Sequence, residues 1–167
     1  MSKNPLFGIL FEPNTKPKQD DEIFDNVISG NQSGAIYVVS YYIVDAFISK
    51  EGYDPIPEKI YIHDNEMSNN GYDPKDLAEL IAVIFPEGLP VIFYDSSGVG
   101  TDSGMLLREI PDGLPESDAI CATDPDPETT MGQLNATVLL SGIPGDSAIS
   151  DDPELFNCTH PSLPPVV

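Results

Sequence analysis

Three acidic residues lie where the sequence predicts that two strands end, and they are the first candidates for chemistry. Asp64 and Glu66 follow the apolar run Ile60–Ile62, and Asp95 follows the apolar run Val91–Tyr94. In open α/β sheets, ligands bind outside the carboxyl ends of the strands. If the two strands are neighbours, these carboxylates converge and supply the oxygen ligands that Mg²⁺ or Ca²⁺ prefers. The sequence therefore offers Asp64, Glu66 and Asp95 as candidate metal ligands.

His63 precedes the first of these carboxylates and is placed to act as a base beside them. The same residues have an ordinary structural explanation, because Asp and Asn stabilise the turns that follow strands. The histidine can equally be a hydrogen-bonding structural residue. We expect the structural roles, with no catalytic residues and no cofactor other than the candidate Mg²⁺ or Ca²⁺.

A glycine-rich loop, Gly98–Gly104, follows the second strand but departs from a nucleotide-binding fingerprint. Its third glycine comes one residue late for that pattern. Pro111 follows too soon for the long helix that would hold a phosphate. The loop has no lysine, and Asp102 would repel a phosphate. We interpret this loop as a flexible turn.

Other kinds of active site lack the residues that they need. His63 and His160 are the two histidines and the two cysteines lack ligand spacing, which excludes a histidine-rich zinc site. Ser96 and Ser97 do not lie in a nucleophile-elbow sequence. Arg108 is the single arginine, so the clamp expected for phosphoryl transfer is missing. The sequence therefore predicts a protein that is not an enzyme.

The segment Lys59–Ser97 has the clearest structural pattern, which is a strand, an amphipathic helix and a second strand. Asp73 is a suitable N-cap, a proline follows it, and apolar residues then recur at helical spacing as far as Phe85. The flanking runs are β-branched and aromatic, which is typical of strands buried in a parallel sheet. We predict that Lys59–His63 and Pro90–Tyr94 are parallel neighbours in one sheet, with the helix packed across it.

The first third of the chain extends this pattern. Leu6–Phe11 is predicted to be a strand, and residues 13–33 are polar enough to form a long excursion or an extended arm. Gly34–Lys50 is rich in strand-forming residues, but its length and apolar period favour a helix. The predicted fold is α/β, a two-layer or three-layer sandwich with a mostly parallel sheet and a β-α-β-α-β core.

We divide the chain into an α/β core domain, residues 1–110, and an extended acidic, proline-rich segment, residues 111–167. Met105–Ile110 is a further candidate strand, and the C-terminal segment is expected to hold at most one or two short strands, with Ala136–Leu140 as the candidate. We detect no internal repeat. Because the segment has few apolar residues, we expect a neighbouring chain to supply the surface that orders it.

Charge is the strongest compositional signal. The 28 acidic residues outnumber the 7 lysines and arginines, and the formal net charge is −21. Such a surface repels phosphate, which argues against direct binding to nucleic acid or to an anionic membrane. It suits a protein partner with a basic or cation-rich surface, within an oligomer or a multi-subunit assembly.

The resulting functional hypothesis is a non-enzymatic acidic interaction or assembly protein, such as an accessory structural component of a larger particle like a virion. An acidic inhibitor that occludes a basic partner, either a nucleic-acid mimic or an immunity-type protein, is the alternative. A metal-dependent α/β enzyme is a weaker one. The N-terminus lacks the pattern of a secretion signal, so we expect a cytoplasmic location, or the virion if the protein is viral. Cys121 and Cys158 are too few to predict a disulfide framework.

Overall fold

The computed structural model describes eight stretches of the chain: residues 7–11, 21–40, 57–85, 88–96, 119–123, 130–134, 149–161 and 163. These stretches hold ten strands, one α-helix and a short 3₁₀ helix at Pro153–Phe156. The strands are β1 (Phe7–Phe11), β2 (Asp21–Phe24), β3 (Val27–Ser29), β4 (Gly34–Val38), β5 (Ile60–His63), β6 (Glu66–Ser68), β7 (Ile92–Asp95), β8 (Ile120–Thr123), β9 (Met131–Leu134) and β10 (Ile149–Ser150), and the α-helix is α1 (Leu77–Ile84).

The strands form three sheets, and nearly all of their pairs are parallel. Sheet 1 has the order β1-β4-β7-β9-β10, sheet 2 has the order β2-β5-β8, and sheet 3 pairs β3 with β6. The pair of β9 with β10 is antiparallel, whereas every other described pair is parallel. The coarse expectation of an α/β protein with mostly parallel sheet structure therefore fits.

The chain visits the three sheets in a fixed order. β1, β2 and β3 enter sheets 1, 2 and 3 in turn, β4, β5 and β6 do the same, and β7 and β8 enter sheets 1 and 2 before β9 returns to sheet 1. Each strand thereby lies beside its counterpart from the previous pass. A chain that coils in this way through parallel sheets is a parallel β-helix. We call β1–β3 the first rung, β4–β6 the second rung and β7–β8 the third rung.

A repeat of 39 residues relates β2 and β3 of the first rung to β5 and β6 of the second. Asp21 pairs with Ile60 and Val27 pairs with Glu66, so residues 39 positions apart occupy equivalent places. Identical residues occur at several of these places: Ile23 and Ile62, Asp25 and Asp64, Asn26 and Asn65, Ser29 and Ser68, and Asn31 and Asn70. The prediction of no internal repeat is wrong, because connections of unequal length between the rungs hide the period.

The interior of the coil is apolar, as the alternation along each strand requires. In β5, Ile60 and Ile62 are fully buried, whereas Tyr61 and His63 on the other face are partly exposed. Burying such an isoleucine side chain contributes about 1.5–3 kcal/mol. The residues that line this interior are Ile23, Ile28, Ala35, Ile36, Val38, Ile60, Ile62, Met67, Ile92, Tyr94, Ile120, Ala122 and Phe156.

A second apolar cluster lies outside sheet 1, where α1 covers it. Ile81 and Phe85 pack with Tyr37 and Phe93 of the sheet. The rings of Phe85 and Phe93 meet edge to face, with 6.3 Å between their centroids. Gly132 allows this approach, because a Cβ there would lie 2.7 Å from the Phe85 ring. The central strands β4 and β7 of sheet 1 are therefore buried on both faces.

The prediction that Lys59–His63 and Pro90–Tyr94 share one sheet is wrong. β5 belongs to sheet 2 and β7 belongs to sheet 1. The reason is β6, a three-residue strand that lies between β5 and α1 and sends the chain through sheet 3. The predicted layered sandwich with a β-α-β-α-β core is replaced by a coil of rungs, in which a helix joins strands of different sheets.

Two further elements differ from the prediction. Gly34–Lys50 begins as strand β4 instead of a helix, and residues 41–50 lie outside the described part. β4 is buried on both faces, so its apolar residues do not alternate and imitate a helical stripe. Residues 13–33 contain β2 and β3 in place of an excursion.

The helix also begins later than predicted. α1 starts at Leu77, and Asp76, which precedes it, makes no capping hydrogen bond with its side chain. Asp73 instead receives a hydrogen bond from Nζ of Lys75, at 2.6 Å. The helix thus draws its stability from the cluster that it buries on sheet 1, since its N-cap supplies no side-chain hydrogen bond.

The segment 111–167 was expected to hold at most one or two short strands, and the structure describes three there. β8 and β9 join sheets 2 and 1, and Ile120, Leu134 and Phe156 are buried against this same chain. The candidate strands Met105–Ile110 and Ala136–Leu140 lie outside the described residues. The division of the chain at residue 110 stays a prediction.

Candidate interaction surfaces

The outer face of sheet 2 carries a histidine between two carboxylates. Nε2 of His63 lies 2.8 Å from Oε1 of Glu22, and Nδ1 of His63 lies 2.7 Å from Oδ2 of Asp64. Glu22 is on the neighbouring strand β2, whereas Asp64 begins the turn after β5. Because only the imidazolium form has two N–H donors, this geometry favours a positively charged His63.

The C-terminal residues 157–161 and 163, which we call the strap, cross the outer face of sheet 2. Cys158 forms a disulfide with Cys121 of β8, the last strand of the sheet. The backbone N–H of Leu163 donates to Oε2 of Glu22 in β2, the first strand, at 3.1 Å. The strap therefore connects the third rung back to the first.

Aromatic rings fill the space between the strap and the histidine. The Tyr61 and Phe24 rings stack on His63, with centroid distances of 4.2 Å and 5.4 Å. His160 of the strap meets Tyr61 edge-on, and its Nε2 lies 2.8 Å from the carbonyl oxygen of Ala119. These contacts leave His63 mostly covered, while Phe24 is 47% exposed.

The two carboxylates set the protonation of this cluster. Burial alone would lower the pKa of His63, but hydrogen bonds to Asp64 and Glu22 and the charges of both outweigh burial and raise that pKa. The hydrogen bond from His63, together with the one from Leu163, lowers the pKa of Glu22. The ion pair therefore forms at pH values between the two pKa values.

We expect the stabilisation from His63 to depend on pH. With a raised folded-state pKa, it is complete below the unfolded value of about 6.5 and is lost as pH rises through the folded-state pKa. The contribution of Glu22 is present above about pH 4.3 and is lost as pH falls through its lowered pKa. The free energies of unfolding of the native chain and of His63→Gln, measured with urea, should differ most between about pH 4.3 and about pH 6.5. A difference that does not shrink as the pH is raised into the alkaline range would contradict the charged pair.

Stacked asparagines hold the turn between sheets 2 and 3. Oδ1 of Asn65 accepts hydrogen bonds from the backbone N–H and from Nδ2 of Asn26, at 3.2 Å and 3.0 Å. Nδ2 of Asn65 donates to the carbonyl oxygens of Ile23 and His63, both at 2.9 Å. In both rungs the preceding residue, Asp25 or Asp64, has a positive φ, which Asp tolerates better than most residues.

A second pair of asparagines repeats this arrangement in the turn from sheet 3 to sheet 1. Oδ1 of Asn70 accepts hydrogen bonds from the backbone N–H and from Nδ2 of Asn31, at 3.2 Å and 2.9 Å. Nδ2 of Asn70 donates to the carbonyl oxygen of Ile28. In each pair the asparagine of the second rung reaches towards the first rung, so the stacking has a direction.

The two ends of the described coil differ. At the C-terminal end, antiparallel β10 pairs with β9, and Phe156 of the 3₁₀ helix inserts into the apolar interior. At the other end, the first-rung strands β1, β2 and β3 are the outermost strands of their sheets. In the part of the chain that the structure describes, no strand pairs with the outer edge of this rung.

The predicted metal ligands do not come together. Asp95, the last residue of β7 in sheet 1, is fully buried, and its Oδ2 accepts a hydrogen bond from the backbone N–H of Ser40 at 3.0 Å. Asp64 is exposed in the turn after β5 and binds His63, and Glu66 is exposed on β6. Among the described residues, no group of three or more His, Cys, Asp or Glu side chains is placed to hold a metal ion.

The asparagine pairs and the strap were not predicted from the sequence. The sequence does contain a signal for the asparagine pairs. The pattern Asp-Asn-x-x-Ser-x-Asn occurs twice, and its two copies are 39 residues apart. The strap has no comparable signal. Among the residues that the structure describes, we find no helix with the length and apolar character that a membrane span requires. Comparison with protein families, curated proteins and solved structures gave no match.

Proposed function

We propose that this chain is a non-enzymatic acidic interaction or assembly protein that binds a partner with a basic or cation-rich surface. The observation that carries this proposal is the difference between the two ends of the described coil. Solenoids require capping units at their ends to stay unassociated, and an uncovered edge strand is a template for pairing with another chain. The C-terminal end of the described coil has such a cap, whereas the first rung at the other end has edge strands.

The distribution of charge supports a basic partner. Asp25, Asp64 and Glu66 are exposed at the turn between sheets 2 and 3, on a chain of net charge −21. Complementary charge steers association and makes it weaken as salt rises. An accessory role in a larger particle, such as a virion, belongs to this same proposal.

The candidate chemical groups have structural roles, which supports a function without catalysis. Asp95 accepts a hydrogen bond that holds Ser40, and His63 pairs with Glu22 and Asp64 beneath the strap. The disulfide bears on the compartment, because such bonds persist in oxidising environments and are rare in the cytosol. We therefore favour an oxidising compartment over the cytoplasm that the sequence suggested.

The test is the mass of the full-length chain in native preparations, measured by size-exclusion chromatography with light scattering. At low salt we expect a stoichiometric complex heavier than the 18.1 kDa chain. At about 0.5 M salt, where charges are screened within a few ångströms, we expect it to dissociate. A lone 18.1 kDa species at both salt concentrations would overturn the proposal. A partner enzyme that loses its activity in the complex would instead support the alternative of an acidic inhibitor.

A further inference from the structure

The outer edge of β2 and β3, which we call the first-rung edge, has backbone groups that point away from the coil. On either side of β3, the carbonyl oxygen of Asn26 accepts a hydrogen bond from the N–H of Glu66, and the N–H of Gly30 donates to the carbonyl oxygen of Ser68, both in β6. Because backbone groups alternate in direction along a parallel strand, those of Val27 and Ser29 point the other way. In the described part of the chain, β3 is paired with β6 alone.

The asparagines of the first rung also present acceptors at this edge. In the second rung, Oδ1 of Asn65 and Oδ1 of Asn70 each receive two hydrogen bonds from the rung outside them. No described group donates to the equivalent Oδ1 atoms of Asn26 and Asn31. One further rung with asparagines five residues apart would donate to both, as Asn26 and Asn31 do to the second rung.

The charges at the same turn indicate that a further rung would also carry a basic residue. Asp25 and Asp64 occupy equivalent positions in successive rungs and are both exposed, so acidic side chains follow both strands at this turn. Like charges on adjacent strands destabilise a sheet, whereas opposite charges stabilise it. A lysine or arginine directly before the first asparagine would lie next to Asp25 and relieve this repulsion.

We infer that the first-rung edge binds an extended segment of a partner protein, which adds as a parallel strand and contains a basic residue followed by Asn-x-x-x-x-Asn. Main-chain hydrogen bonds to the edge would supply affinity in the manner of β-strand addition. The two asparagines would fix the register, and the basic residue would supply charge complementarity. This inference rests on the proposed function, because it names the partner chemistry and the surface that would bind it.

The probe is a synthetic peptide with the sequence of residues 60–72 and the changes Asp64→Lys and Glu66→Lys. Its binding to the full-length chain is measured by calorimetry. A matched peptide with the further changes Asn65→Ala and Asn70→Ala keeps the charge but lacks both asparagine side chains. We expect this matched peptide to bind about tenfold more weakly or worse, because the hydrogen bonds from both asparagine side chains are lost. Equal binding of the two peptides would overturn the inference.

A variant of the protein tests the location. Val27 is 73% exposed, so Val27→Pro removes the outward N–H of the edge at little cost to the core, while Val27→Thr keeps that N–H. We expect Val27→Pro, checked for folding by circular dichroism, to lose the peptide and Val27→Thr to retain it. Unchanged binding to a folded Val27→Pro would overturn the assignment. If this variant does not fold, the two peptides decide alone.

Two outcomes separate this inference from the proposed function. If folded Val27→Pro still forms the native complex with a basic partner, the inference fails and the proposed function stands. If the chain alone doubles its mass and Val27→Pro abolishes the doubling, the edge binds a second copy, which overturns the inference in favour of self-association. Binding of the probe together with loss of the native complex in Val27→Pro would support both.

Discussion

Replacing Phe156 with alanine is expected to lower the free energy of unfolding by about 3–5 kcal/mol. Phe156 is 2% exposed and packs with the interior residues of the coil, including Ile120 and Ala122 of the third rung. Its loss leaves a cavity at the capped end, where the surrounding backbone is fixed by the pairing of β9 with β10 and by the disulfide. Chemical denaturation of the purified chain measures the effect.

Leu163→Ala is the matched control. Leu163 is a nearby apolar residue of the strap, but it is 40% exposed and is held through its backbone N–H. We expect this change to cost less than about 0.5 kcal/mol, as is usual for surface positions. Equal small losses in both variants would show that Phe156 does not cap the coil in solution.

Removing the disulfide with the double change Cys121→Ala and Cys158→Ala is expected to cost about 2–4 kcal/mol. The two cysteines are 37 residues apart in sequence, so the bond restricts a sizeable loop in the unfolded chain. The bond also joins the strap to sheet 2, and its loss leaves the strap with the contacts of His160 and Leu163. The measurement is urea unfolding under non-reducing conditions.

A reductant provides the control for this prediction. The native chain should lose a similar free energy of unfolding when it is reduced, and the double variant should not respond to the reductant. Two titratable thiols in the purified, unreduced chain would contradict the pairing of Cys121 with Cys158.

Local patterns in the sequence predicted several elements well, and the arrangement of sheets much less well. The strands at β1, β5 and β7 and the helix α1 were all expected within a few residues of their observed bounds. These elements have continuous apolar runs or a helical stripe, which are local signals. Their neighbours in the sheets are set by the coil as a whole, and a run of four apolar residues does not indicate which strand lies beside it.

The short strands explain most of the error. β3 and β6 have three residues each, with one buried side chain in the middle. Three residues with one buried side chain are too few to show the alternation of a strand, so sheet 3 was not predicted and a layered sandwich was predicted instead. Asn and Asp after β5 were interpreted as ordinary turn formers, and Asn26 lay in the predicted excursion, so the hydrogen bonds between the rungs were not predicted.

The expected convergence of the candidate metal ligands does not occur, for the same reason. The convergence of Asp64 and Asp95 depended on β5 and β7 being neighbours in one sheet, but the two strands belong to different sheets. The sequence could predict only interactions between residues that are adjacent in the chain. His63 with its adjacent carboxylate was visible in the sequence, whereas Glu22 lies 41 residues away and joins it only through the pairing of β2 with β5.

The strap has a mechanical consequence. Tension applied to the C-terminus first loads the contact between Leu163 and Glu22, and it then reaches the covalent bond between Cys158 and Cys121. The covalent path of the force then runs through that bond into β8, and it bypasses the strands β9 and β10 and the 3₁₀ helix. A pull on the tail is therefore transmitted to the last strand of sheet 2 before it reaches the cap.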